Sequence, residues 1–316
     1  MLARAALYRW GWRRVTRLRL PAVAVGNLTV GGAGKTPVSA WIAAWLVQTG
    51  ARPGILLRGY GADEPLVHAR LVPSALVQAN PDRERGAELA REAGADTLVL
   101  DDAYQTLAVG RDVNLALVAV EHLDYAPWLL PAGPWRETWG ALSRADGIVV
   151  TRKRAPAQAA AALAEELAQG RPGVPLGVVH LALTGFSELR SGHPVPVDGL
   201  NGRRVLAAAG IADPESFADQ LRELSGTVQL VAYQDHHRYT EADVAGLLSA
   251  AAAVDYVVVT EKDAVKLRPR WPADAREPLV AALGVRWERG QGAIEALLSA
   301  RLRRPRSSTD PSTTTL

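Results

Sequence analysis

The sequence predicts an α/β protein: a doubly wound parallel sheet followed by a second α/β unit. Three observations predict it. Residues 22–36 read as a short apolar strand, a glycine-rich turn and the start of an apolar-periodic helix. Short apolar runs and helical segments then alternate down the chain. One such run, Thr97-Leu98-Val99-Leu100, stops at Asp101-Asp102, at the strand end where a doubly wound sheet gathers its ligand groups.

The first stretch has the makings of a phosphate loop. Gly31, Gly32 and Gly34 let the backbone wrap closely and aim N–H groups at one anion. Lys35 can reach outer phosphates, Thr36 can hold Mg²⁺, and the helix adds the positive end of its dipole. Thr29 stands where the Gly-x-x-x-x-Gly-Lys-Ser/Thr pattern has its first glycine. Strand, glycines, lysine, hydroxyl and helix otherwise fall in order, so a nucleoside triphosphate is expected here. Asn27, Thr29, Gly31, Gly32, Ala33, Gly34, Lys35 and Thr36 are the candidate nucleotide-binding residues.

The other elements follow in order. Residues 54–57 form a strand ending in Arg58-Gly59-Tyr60-Gly61, and Asp63-Glu64-Pro65 then precedes a helical segment. A strand is expected within 72–79, a helix over 84–93, and strands over 97–100, 115–120 and 147–150. An alanine-rich helix spans 156–168, with Pro156 suited to its first turn. Extended segments over 174–183 and 186–197, punctuated by Gly185, Gly192 and Pro194, suggest a linker or a small β-element. The second unit carries strands at 205–209, 228–232 and 256–259 and helices at 214–224 and from Thr240, where Asp243 completes a cap. Thr260-Glu261-Lys262-Asp263, taken alone, reads as a charged surface turn.

The chain has 316 residues, enough for two domains, with 48% hydrophobic and 22% charged residues as in soluble globular proteins. It has no cysteine, which excludes disulfides, zinc–thiolate sites and thiol nucleophiles. The net charge is only +3, yet no acidic residue precedes Asp63 while six arginines crowd the first twenty positions. No run there approaches the roughly 20 apolar residues of a spanning helix, and arginine interrupts it too often for a signal peptide. A basic amphipathic helix in the membrane interface fits residues 1–20. Residues 303–316 lack apolar periodicity and read as disordered.

Asp101 and Asp102 form the strongest acidic pair, and Mg²⁺ on nucleotide phosphates is their natural partner. Arg136, in the proline-rich loop Leu130-Pro131-Ala132-Gly133-Pro134-Trp135-Arg136, suits a phosphate or transition-state charge. Asp235-His236-His237 is open between metal, acid–base and inert roles. From these residues alone, another small-molecule or sugar kinase with a phosphate loop, or a nucleotide switch or ATPase, stays possible.

The motifs resemble those of the tetraacyldisaccharide 4′-kinase (lipid A 4′-kinase) family. They comprise residues 25–37, Arg58-Gly59-Tyr60-Gly61, Asp63-Glu64-Pro65, residues 130–137, Ala208-Ala209-Gly210-Ile211, Asp235-His236-His237 and residues 260–266. The resemblance covers about residues 21–270, and that family also tolerates a non-glycine at the Thr29 position. It implies two α/β/α sandwich domains, the first a kinase-like parallel sheet with the phosphate loop, joined by a short β-linker around an active-site cleft. The corresponding bounds are 21–183, a linker at 184–200, and 201–302. It implies ATP-dependent phosphorylation of the 4′-hydroxyl of tetraacyldisaccharide 1-phosphate, giving lipid IVA, at the cytoplasmic face of the bacterial inner membrane. Asp63 and His236 would handle the attacking hydroxyl, and Thr36, Asp101 and Asp102 would manage Mg²⁺. Glu64, Gln105 and Arg136 would contact substrate or phosphate. The implied partners are an acylated disaccharide lipid and anionic phospholipid, with no nucleic acid and no obligate protein partner. Three departures stand out: Ala103 and Thr106 replace a glycine and a histidine, the segment before Asp63 is short, and the N-terminal helix is reduced to an arginine-rich stub.

Overall fold

The computed structural model describes residues 7–8, 12–59 and 63–302. The tail expected over 303–316 lies outside the described residues, as do positions 1–6 and 9–11 of the basic segment and Tyr60 and Gly61 of the glycine turn. The interfacial helix expected over 1–20 does not continue to Leu20. Thr16–Arg17 (β1) is extended and pairs in parallel with Val109–Gly110.

β2 (Ala22–Asn27) leads through the glycine loop into α1 (Lys35–Gln48). β3 (Pro53–Leu57), α2 (Asp63–Leu71), β4 (Leu76–Ala79), α3 (Arg83–Glu92) and β5 (Thr97–Leu100) follow. The strand expected over 72–79 begins only at Leu76, because Pro73 interrupts the chain before it. Asp63 and Glu64 do not precede the helix but open it, which places two carboxylates at its positive end. After β6 (Val109–Gly110) come β7 (Val113–Ala119), β8 (Gly147–Arg152) and α4 (Ala157–Gly170). β2, β5, β7 and β8 are predominantly apolar along their length rather than alternating, because helices cover both faces of the sheet. α1 and the C-terminal helix pack on one face, and α4 packs on the other.

β9 (Leu176–Glu188) is 13 residues long and takes in the start of the 184–200 segment expected as a linker. β10 (Pro194–Val195) pairs back onto it. The second half comprises β11 (Arg204–Ala209), α5 (Pro214–Leu224), β12 (Thr227–Ala232), α6 (Glu241–Ala251), β13 (Tyr256–Thr260) and α7 (Glu261–Leu267). β14 (Leu279–Arg289) and α8 (Gln291–Leu302) complete the chain. The Thr240/Asp243 cap forms in full. The charged stretch 260–263 is not a turn: Thr260 caps α7, its hydroxyl accepting from the Asp263 N–H.

One continuous sheet runs β12-β11-β13-β14-β9-β8-β7-β2-β5-β3-β4. Every pair is parallel except those of β9 with β14 and with β10, so the two halves run in opposite directions on either side of this seam. β8 ends level with His180 of β9, whereas β13 ends level with Phe186 through Ala281 of β14. The carboxyl ends of the halves therefore face each other across the stretch from His180 to Phe186, six residue steps or about 20 Å of strand. That offset is the cleft.

Candidate active site

The cleft encloses about 1100 Å³ between the two facing strand ends. Its first wall is the phosphate loop. Gly31 and Gly34 take φ of +98° and +84°, the left-handed region that side chains avoid. Thr29, the residue out of pattern, is anchored: its hydroxyl lies 2.6 Å from His122 Nδ1 and accepts from Asn27 Nδ2 at 3.1 Å. Asn27 Oδ1 in turn accepts from Lys35 Nζ at 3.3 Å. Burial, then the nearby Lys153 charge, lowers the His122 pKa to about 4, so the imidazole stays neutral. No signal in the sequence pointed to His122. Gln105 donates to the Asn27 carbonyl at 2.8 Å, bracing the strand end where the loop begins.

The two aspartates after β5 face different ways. Asp101 is buried, with Ser39 Oγ and the Asp102 N–H donating to Oδ1 at 3.0 and 2.9 Å, and His68 Nε2 at 2.9 Å from Oδ2. Burial raises its pKa, but the His68 hydrogen bond and charge, Lys35 and Ser39 more than offset this and hold it below the usual carboxylate range. Asp102, with φ +48°, turns outward to accept from Arg136 Nη1 at 2.8 Å and lies 3.8 Å from Lys35 Nζ. Burial lowers the Lys35 pKa, with Asp102 opposing. Thr36 and Glu64 also line the cleft, and burial raises the Glu64 pKa.

The second wall carries His236 and Lys266. His236 reaches the site through a left-handed backbone, φ +59°, with its N–H donating to Asp235 Oδ1 and the Gly210 carbonyl. Its Nδ1 is 3.4 Å from Asp63 Oδ2, and Lys266 Nζ is 3.3 Å from the same oxygen. Burial pushes the Asp63 carboxyl up, but Lys266, its own backbone N–H and His236 hold it below the usual range. Sequence reasoning assigned Asp63 and His236 to the same attacking hydroxyl. The facing strand ends bring the two side chains together. It missed the roles of Lys266, on α7, and of His68, on α2. His68 lies five residues after Asp63, so both side chains emerge from one short helix beside the sheet.

Among the described residues no group of three or more His, Cys, Asp or Glu side chains converges as a metal cage. No helix of the described residues is long and apolar enough to cross a membrane.

The family model "Tetraacyldisaccharide-1-P 4'-kinase" matches residues 1–63 and 62–303. A tetraacyldisaccharide 4′-kinase of Pelobacter propionicus is 38% identical over 296 residues, covering 84% of this chain and 78% of its own. The enzyme of the same name from Anaeromyxobacter dehalogenans strain 2CP-C is 38% identical over 330 residues, covering 94% and 85%. The crystal structure of Aquifex aeolicus LpxK in complex with ATP superposes with a TM-score of 0.73 at 26% identity, covering 95% of this chain and 94% of that one. By its sequence along nearly the whole chain and by its fold, this chain belongs to the tetraacyldisaccharide-1-phosphate 4′-kinase family.

Proposed function

We propose that this chain transfers the terminal phosphoryl group of ATP to the 4′-hydroxyl of tetraacyldisaccharide 1-phosphate, the step that gives lipid IVA. One observation carries the reading: the phosphate loop and the Asp63–His236–Lys266 cluster face each other across a single cleft. The loop amides and Lys35 hold the polyphosphate, and Arg136, tied to Asp102, lies beside the transferring group. Phosphoryl transfer through a loose transition state asks more for positioning than for a strong base. That suits an Asp63 kept ionised by Lys266. It orients the hydroxyl, receives its proton late, and can pass it to the half-exposed His236.

The residues fit Mg²⁺ as an ion held chiefly by phosphate oxygens and water rather than by a protein cage. Thr36 and the outward-facing Asp102 are its direct protein candidates, and the enclosed Asp101 supports them from behind. When bound, the ion neutralises charge on the phosphates. Exposed Leu66 and Leu130 on the cleft rim suit acyl chains leaving toward lipid. The arginine-rich N-terminus supports a site of action on anionic phospholipid at the cytoplasmic face of the inner membrane.

Radiolabelled ATP with the purified acyl disaccharide 1-phosphate, resolved by thin-layer chromatography, tests the reaction. Label appears in the lipid with the intact protein and falls about 10²-fold or more with Lys35→Ala. Hydrolysis of ATP without labelled lipid would overturn the reading.

A further inference from the structure

Lys153 stands just past β8, two strands over from the strand that feeds the phosphate loop. Its ammonium rests on the loop: a Cβ placed on Gly32 would lie 2.9 Å from Lys153 Nζ. The backbone beneath it is pinned. Glu121 Oε1 accepts the N–H groups of Lys153, Arg154 and Ala155 at 2.6, 3.0 and 3.1 Å, and His180 Nε2 donates to the Lys153 carbonyl at 3.1 Å. Two residues earlier, Thr151 Oγ1 donates to the Ala33 carbonyl at 3.1 Å, fixing the loop to the same strand. Yet among the described residues no carboxylate comes within ion-pair distance of the Lys153 ammonium. An aimed, partly buried cation without a counter-ion is costly, and burial depresses its pKa, with Asp213 and Glu121 opposing from further off. The same crest is bordered by the Tyr125 hydroxyl and His122 Nε2, 3.4 and 3.5 Å from a Cβ placed on Gly31.

We propose that Lys153 is a second phosphate-binding lysine, which grips the phosphates that leave with the spent nucleotide. The inference rests on the loop's binding ATP as read above. Lys35, Thr36 and Arg136 line the cleft that faces Asp63, whereas Lys153, Gly31 and Gly32 are not among its walls. The transferring group faces the cleft, so oxygens presented to the far side belong to the diphosphate left behind. Lys153 therefore neutralises charge on the leaving group and retains it, while Lys35 serves the group that moves.

Calorimetric titration of the full chain with ADP, AMP and adenosine, beside thermal unfolding without ligand, tests this. Lys153→Met keeps the stem and removes the charge. ADP affinity falls about 10-fold or more, adenosine affinity holds, and the ligand-free melting temperature does not drop, because an unpaired cation has gone. Lys153→Arg retains much of the ADP affinity. Unchanged ADP affinity in Lys153→Met overturns the proposal, and so does a lower ligand-free melting temperature, which would make Lys153 a brace. Should Lys153→Met not fold, reductive methylation of the wild type decides: ADP, but not adenosine, shields Lys153, and equal labelling overturns the assignment. If the wild type binds no ADP, the reading of the loop fails. If it binds and only Lys35→Ala loses affinity, the Lys153 assignment alone fails.

Discussion

His68 is fully buried, and it spends Nε2 on Asp101 while Nδ1 has no partner. A buried nitrogen left unpaired costs stability, so the residue is retained here against a penalty. Its effect is to fix the Asp101 carboxylate from the side opposite Ser39, with Arg83 Nη2 holding the Asp101 carbonyl at 2.9 Å. Buried behind Asp101, His68 can act on the reaction only through that carboxylate, and we propose it as a positioning residue. His68→Ala should lower kcat about 10–100-fold, as losses of groups that orient a ligand-holding carboxylate do. The KM for ATP should move little, the Mg²⁺ concentration for half-maximal rate should rise, and His68→Gln should restore part of the rate through its amide N–H. Steady-state kinetics over a Mg²⁺ series checks this, and equal kinetics in Ala and Gln variants would reduce His68 to packing.

At the scale of elements, α2 packs on α7 across the cleft, and this contact holds a charge that resists ionisation. Glu261, the first residue of α7, is 9% exposed, and burial pushes its carboxyl up to about 7, with Arg70 of α2 opposing. The folded value exceeds the ordinary 4.5, so folding favours the neutral acid. That contribution is complete below 4.5 and is lost as pH rises through 7. Glu261→Gln should leave stability near pH 4.5 almost unchanged and raise it by about 1–3 kcal/mol at pH 8. Denaturant unfolding at the two pH values measures it. The sequence carried no hint of this, because residues 260–263 look like surface charge until Thr260 caps a helix that buries both Glu261 and Asp263. Local chemistry that repeats across folds was legible: the glycine loop before α1, the carboxylates closing β5, and the Thr240/Asp243 cap. Pairing that depends on distant partners was not. Leu279–Arg289 has neither a helical nor a clean strand period, since one end is buried between β9 and β13 while the other runs out beside β9 alone. His122 is likewise unreadable in a sequence, as its importance comes from a contact 93 residues away.

At the scale of the whole molecule, the antiparallel seam decides what the cleft can do. Two parallel halves joined in the same sense would put their carboxyl ends on one edge. Reversal at β9 and β14, with the offset from His180 to Phe186, makes those ends confront each other. Asp63 from one half thus meets Lys266 and His236 from the other. Lys266 Nζ lies 3.3 Å from Asp63 Oδ2, so its positive charge acts on the carboxylate at close range. That field keeps the carboxylate ionised when the pH drops. Lys266→Met keeps the stem and removes the charge, so the Asp63 pKa should rise toward and beyond its ordinary 3.8 as burial is left less opposed. The acidic limb of kcat against pH should move upward by a measurable step. At neutral pH kcat should fall about 10-fold as the carboxylate loses its aim, with ATP affinity unchanged because the phosphate loop lies on the other wall. His236→Gln should leave that limb nearer its original position, since His236 is the smaller of the two influences on Asp63. A limb that stays in place in Lys266→Met would mean that Asp63 does not govern it, and that the base for the acceptor hydroxyl is another group in the cleft.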